Sequence, residues 1–305
     1  MLKLMGFFCW LTGHSTKVWG FYLCPTPKPY YEWFNWHSSN AQFMSTVGEM
    51  ARGYCTPSIP PVWQRDLLSA RNPPKVTCKH HQFDELLDTN DYPLQNMVPC
   101  SFFLDSTEVN AVHRKQVPSH LNQCSTFDIL TACIWRCSTI ALKPNLESQV
   151  RVIFPVNVRA KLSPSLPTEY YGNAFVFAVA ITMARKLCEN PLGYAIELVK
   201  TAKANVTMEY VRSYIDFVVI KDKPDINWVR CYSPTDVTHV GFEEVDFGWG
   251  KAIYGGLGNL WNGPNPMPVS SYTYLAMVKG RMALWCQSCS QKWPMKYSWR
   301  SLRAH

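Results

Sequence analysis

Few residues in this chain combine a reactive side chain with a telling spacing. One group is Asp246-Phe247-Gly248-Trp249-Gly250, followed by Lys251-Ala252-Ile253-Tyr254-Gly255-Gly256. Two glycines alternate with two aromatics behind a single carboxylate. Glycine adopts backbone angles that other residues resist, and an Asp heading such a turn accepts hydrogen bonds from the amides that follow. The composition predicts a buried tight turn anchored by Phe247 and Trp249. The second group, Cys286-Gln287-Ser288-Cys289, is a lone CxxC. Structural zinc takes four protein ligands, and no second Cys/His pair lies nearby, so metal or redox duty is not expected. The remaining cysteines are scattered, and Cys133, Cys137 and Cys188 sit among apolar residues as reduced thiols would. The sequence holds no metal-ligand cluster and no phosphate-binding glycine loop.

These groups need elements to position them. Gln42 to Gly53 has Phe43, Val47 and Met50 at helical spacing, with Gly53 as a stop. Pro57 to Val62 is a proline-rich connector leading to Trp63 and Arg65. Ser101 to Leu104 is a strand candidate. Ser125-Thr126-Phe127-Asp128 opens a helix, with Ser125 as cap and Asp128 complementing the dipole. Phe127, Leu130, Ile134 and Trp135 then form an apolar face, expected to be core rather than pocket. Arg151 to Arg159 and Ala174 to Thr182 read as strands, the second fully buried. Asn190-Pro191 reads as a cap and first helical proline, opening a helix to about Ala204. A further helix covers about Met208 to Phe217, and Asn227 to Tyr232 and Glu244 to Phe247 are strand candidates. The mix predicts an α/β chain with a mixed sheet.

The 305 residues are 47% hydrophobic and 17% charged, which is the composition of a globular protein with a sizeable core. No apolar run reaches the ~20 residues that span a bilayer. The net charge of +8 is unevenly placed. Met277 to His305 carries six basic residues and no acidic one, whereas Trp33 to Ala276 carries 21 of each. A neutral body with a basic tail is not the footprint of a nucleic-acid binder. Tryptophan is skewed too, with eight of twelve (Trp10, Trp19, Trp33, Trp36, Trp261, Trp285, Trp293 and Trp299) within residues 1–41 and 257–305. Met1 to Leu11 imitates a short signal peptide but lacks a small-residue cleavage site, so a cytoplasmic protein is expected.

Several stretches together resemble the BAHD acyltransferases, and among them the fruit alcohol acyltransferases that make volatile esters. They are QFMSTVGEMARG (Gln42 to Gly53), SIPPVWQRDLL (Ser58 to Leu68), HHQFDE (His80 to Glu85) and STFDILTACIWRC (Ser125 to Cys137). VNVRAKL (Val156 to Leu162), YYGNA (Tyr170 to Ala174), ENPLGYAIELVK (Glu189 to Lys200) and the DFGWG turn complete the set. The resemblance implies a two-domain, chloramphenicol-acetyltransferase-like α/β fold of mixed sheets with a channel between the halves. It implies acyl-CoA as co-substrate, no further cofactor, a small alcohol as acceptor and a monomer with no nucleic-acid or membrane partner. A His in an HxxxD motif would deprotonate the alcohol for attack on the thioester. Asp246 would be structural, with Arg159 its expected ion-pair partner. Tyr171-Gly172-Asn173 would line the channel or form a turn into the buried strand.

The base is missing from its place. The resemblance puts HxxxD just before Gln42, where Glu32 stands for the His and Trp36 for the Asp. The literal HxxxD, His80-His81-Gln82-Phe83-Asp84, falls after the proline-rich connector. His80 is therefore a weak substitute base in what reads as a solvated segment. His37 has no carboxylate four residues on. Codons for Lys17 to Tyr31, read one base later, permit KCGGFIFALRLNHTM, which resembles the family strand leading into its His. Ala283 to Gln291, read two bases later, permits the family's last strand. Shifted reading frames would explain the Trp-rich, acid-poor ends. The expected layout is thus a disrupted segment 1–41, a first-domain remnant 42–110, a second acyltransferase domain 111–256 and a divergent basic tail 257–305, with the first domain incomplete. The expected chemistry is acyl transfer that is weak or lost, or alternatively a non-catalytic fragment with a CoA- or partner-binding surface.

Overall fold

A computed structural model describes residues 37–86, 97–252, 269–278 and 281–291. Six strands are present among them: β1 (Met97–Asp105), β2 (Gln149–Asn157), β3 (Phe175–Met183), β4 (Cys231–Asp236), β5 (Val269–Val278) and β6 (Arg281–Gln291). They form one mixed sheet in the order β1-β6-β5-β4-β2-β3. The outer pairs β1/β6, β6/β5 and β2/β3 are antiparallel, while β4 runs parallel to both β2 and β5. The α/β mixed-sheet class is as the sequence predicts, and the described strands make a single sheet rather than two.

Helix α3 (Thr126–Leu142) starts where the sequence says. Ser125 Oγ accepts from the Asp128 amide at 3.2 Å, and Asp128 Oδ2 accepts from the Ser125 amide at 2.9 Å. This reciprocal capping box satisfies two otherwise orphaned donors. The Asp128 carboxylate also meets Lys203 Nζ at 2.7 Å, tying α3 to α5 (Leu192–Ala204). Both helices cover one face of the sheet. Ile129, Leu130, Cys133, Ile134, Ala195, Ile196 and Val199 pack there with Val150, Val152 and Phe154 of β2. Ile153, between the last two, points to the other face and packs with Phe177, Ile226 and Cys231. That alternation is the pleat of a strand buried on both sides. Trp135 and Leu130 are core, as expected.

Four local expectations need correcting. Asn190 does not cap α5: it closes α4 (Ala184–Glu189), its Nδ2 donating to the Lys186 carbonyl at 2.8 Å, and Pro191 is the N-cap of α5. The strand expected over residues 227–232 begins only at Cys231 and runs on to Asp236. Asn227 Oδ1 accepts from the Val229 amide, which bends the chain before it can pair. Residues 244–247 are not a strand. A 3-10 turn ends at Glu244, and Asp246 makes a single bridge to Lys251. Finally, α1 (His37–Ala51) exists, but Phe43 and Met50 of its apparent apolar face are exposed, and over residues 41–51 its buried residues are Ala41 and Gly48.

Candidate functional site

The Asp246 turn is built from its own backbone. Asp246 Oδ1 accepts from the amides of Gly248 at 2.7 Å and Gly250 at 3.0 Å. Gly248 and Gly250 have φ of +97° and +103°, the left-handed region where a side chain would be strained. These hydrogen bonds, Gly248's first, and then the Arg52 charge hold the carboxyl below its ordinary value against the upward push of partial burial. The turn is not buried as predicted, since Trp249 is 66% exposed. Nor does Asp246 pair with Arg159. Its cationic neighbour is Arg52, whose Nη1 donates to the Asp246 carbonyl oxygen. Lys251 Nζ pairs with Glu244 Oε2 at 2.5 Å. Ile253 to Gly256 lie outside the described residues.

Arg159 serves the Tyr171-Gly172-Asn173 segment instead. Its guanidinium donates to the Tyr170 carbonyl twice, at 3.1 Å each, and to the Gly172 carbonyl at 3.0 Å. It also lies 5.5 Å from the centroid of the Tyr170 ring. Burial holds its pKa below the ordinary arginine value. A Cβ at Gly172 would stand 2.9 Å from Tyr170 Cε1, so any other residue there would push the ring aside. Tyr171 is held by its amide, which donates a hydrogen bond to the Val62 carbonyl at 2.7 Å, and by edge contact with Trp63 at 5.2 Å. Burial raises the phenol of Tyr171. The segment is a braced turn leading into β3.

His80 lies in a different setting from the solvated one expected. It is buried at 5% exposure, with its ring 4.9 Å from Tyr210 and 5.4 Å from Phe217 by centroid. Its Nε2 is 2.9 Å from Ser213 Oγ, on α6 (Met208–Ile220). That oxygen already accepts from the amides of Thr77 and Cys78, at 2.9 Å each. A hydroxyl has two acceptor sites and one proton, so the Ser213 proton goes to His80 Nε2, which must be unprotonated. Burial depresses the His80 pKa to about 4, with the Ser213 contact pushing the other way. Within the HxxxD, Asp84 pairs with His81 Nδ1 at 2.7 Å, not with His80.

Ser213 has a companion one turn on. Asp216, fully buried, accepts from the Arg71 amide at 2.8 Å, Arg71 Nε at 2.6 Å and the Lys75 amide at 2.9 Å. Its burial pushes the carboxyl up, but the Lys75 amide and the Arg71 bonds outweigh this and leave it low. Together Ser213 and Asp216 fasten the strap formed by residues 71–84 to α6. Sequence reasoning missed both, together with Gly48 and Arg52. A glycine in mid-helix was the one available signal, because it costs about 1 kcal/mol against alanine. Glu32 and Trp36 lie outside the described residues, and the side chains of His37, Cys286 and Cys289 are likewise not described. Among the described residues no group of His, Cys, Asp or Glu could hold a metal ion, and no helix is long and apolar enough to cross a membrane.

The profile of the Transferase family matches residues 37–274. Benzyl alcohol O-benzoyltransferase of Petunia hybrida is 53% identical over 250 residues, covering 81% of this chain and 54% of that protein. Alcohol acyl transferase 1 allele GSd of Malus domestica is 47% identical over 222 residues, covering 70% and 48%. The chain therefore spans about half the length of these curated relatives. The crystal structure of vinorine synthase superposes with a TM-score of 0.59 at 17% identity, covering 87% of this chain and 57% of that one, which speaks for the fold. The chain belongs to this transferase family, the BAHD acyl-CoA-dependent acyltransferases, and within it resembles the plant alcohol acyltransferases.

Proposed function

We propose that this chain descends from an enzyme that moves an acyl group from acyl-CoA to a small alcohol, and that as encoded it is weakly active or inactive. The observation that carries the first half is the 53% identity over 250 residues to a benzyl alcohol O-benzoyltransferase. In the reaction a base takes the alcohol proton, the oxygen attacks the thioester carbonyl carbon, and the C–S bond breaks. Coenzyme A leaves as the thiolate and is reprotonated. The second half rests on the missing base. Glu32 stands where the family places its His. His80 is a poor substitute, because its Nε2 is occupied by the Ser213 hydroxyl and the ring is walled by aromatics. Absence of a general base costs ~10² to 10⁴ in rate. Asp246 we assign a structural part, since its carboxylate is spent on the amides of its own turn.

We ascribe the Trp-rich ends to shifted reading frames, in a cytoplasmic monomer. An ester-formation assay with acetyl-CoA or hexanoyl-CoA and benzyl alcohol or hexanol tests the activity. Turnover at or below about a hundredth of that of a full-length relative is expected. Robust turnover would overturn the claim of a missing base, and its loss on His80→Ala would make His80 the substitute. Binding of coenzyme A without turnover would favour a non-catalytic, CoA-binding role. Sequencing the transcript tests the frames: if no shifted frame encodes family strands, that explanation fails.

A further inference from the structure

We infer that the Asp246–Gly250 turn is a clamp on the C-terminal end of α1, and that Gly48 and Arg52 are the positioning residues it grips. Gly48 is buried within the helix. A Cβ there would stand 3.1 Å from the Asp246 carbonyl carbon and closer still to the carbonyl oxygen. The obstacle is backbone, which cannot swing aside as a side chain would, so the close approach requires glycine. One helical turn later, Arg52 donates Nη1 to the same carbonyl oxygen. Its Cγ would lie 3.5 Å from a Cβ on Gly248, so the arginine stem lies along the turn. The Asp246 carboxylate meanwhile holds the Gly248 and Gly250 amides and so fixes the loop that presents this carbonyl. On the adjoining side of α1, Glu49 Oε2 accepts from the Ser58 amide at 2.8 Å. The helix end is gripped from two directions, and one grip joins residues 194 apart in sequence.

The purpose rests on the acyl-transfer reading. The resemblance places HxxxD just before α1, and the clamp ties this helix, which follows the family's base, to the Asp246 turn. The clamp itself is read without any turnover. Hydrogen exchange followed by mass spectrometry on the full chain compares Gly48→Ala, Arg52→Met and Arg52→Lys with the unaltered protein. Peptides from 41–52 and from 242–252 are expected to exchange about tenfold faster together in the first two variants, with α5 and α6 unchanged. Lysine still donates to a carbonyl, so Arg52→Lys should restore most of the protection. Arg52 is exposed, so its replacement leaves the core intact even if Gly48→Ala fails to fold. Acceleration on the substituted side alone, an equal acceleration in α5 and α6, or no change would each overturn the clamp. A chain devoid of ester formation could still show the coupled exchange, so the two readings fail separately.

Discussion

Ser213→Ala removes a single oxygen from a fully buried site, and the structure states what that oxygen does. It accepts from the amides of Thr77 and Cys78 and donates to His80 Nε2, each at 2.9 Å. Thr77 is exposed, so its amide regains a water partner and costs little. Cys78 is half-buried, and its amide loses a bond worth about 1 kcal/mol. His80 Nε2 is the expensive group. It is enclosed by Tyr210, Tyr214 and Phe217, and an unsatisfied buried acceptor costs about 1–3 kcal/mol. The expected destabilisation is therefore about 2–4 kcal/mol. Urea unfolding followed by tryptophan fluorescence measures it as a lowered midpoint at unchanged slope. A change below about 0.5 kcal/mol, the range of substitutions at indifferent surface sites, would refute the hydrogen-bond assignment.

Three further outcomes follow from the same contacts. His80 has a pKa of about 4 when folded and 6.5 in its ordinary state, so between these values the unfolded chain holds the extra proton. Its contribution to stability is complete above pH 6.5 and declines as the pH falls toward 4; the urea midpoint should drop over that window, and His80→Phe should flatten the slope. Arg159→Met removes three bonds to the Tyr170 and Gly172 carbonyls and should lower stability by about 1–3 kcal/mol, measured by thermal unfolding, with Arg159→Lys intermediate. Asp216→Ala frees the strap, so trypsin should cut after Arg71, Lys75 and Lys79 well before it cuts within α5; an unchanged cleavage pattern would count against the anchoring.

What could be read from the residues was whatever depends on near neighbours. Ser125 and Asp128 are three positions apart, so their capping box is visible in the sequence. β3 announces itself as a near-continuous apolar run and β2 as a partly alternating one, although β3 is fully buried on one face only, Phe175, Val179, Ile181 and Met183 being half-buried on the other. The Asp246 turn was foreseen as a turn for the same reason. Its partner was not foreseen, since a carboxylate already satisfied by the amides at 248 and 250 needs no cation, and Arg159 was left to brace another turn. α6 was legible as a helix, but the meaning of its Ser213 and Asp216 depends on a segment more than 130 residues away. The α1 pattern misled because the helix docks through small residues, and hydrophobic periodicity has no way to register an absent side chain.

Four main-chain amides of the strap of residues 71–84 are bonded to α6. Ser213 and Asp216 take the amides of Arg71, Lys75, Thr77 and Cys78, with the Arg71 side chain as an addition. Amides are common to every amino acid except proline. Apart from Arg71, Thr77 and His80, whose side chains also bond to α6, this stretch can therefore drift in composition while its path stays fixed, provided that proline avoids those four positions and no residue is inserted or deleted between them. The two side chains on α6 have no such latitude. The burden of preserving the loop falls on the helix, and in a comparison of related chains the record of this contact would be written at positions 213 and 216 rather than in the loop itself.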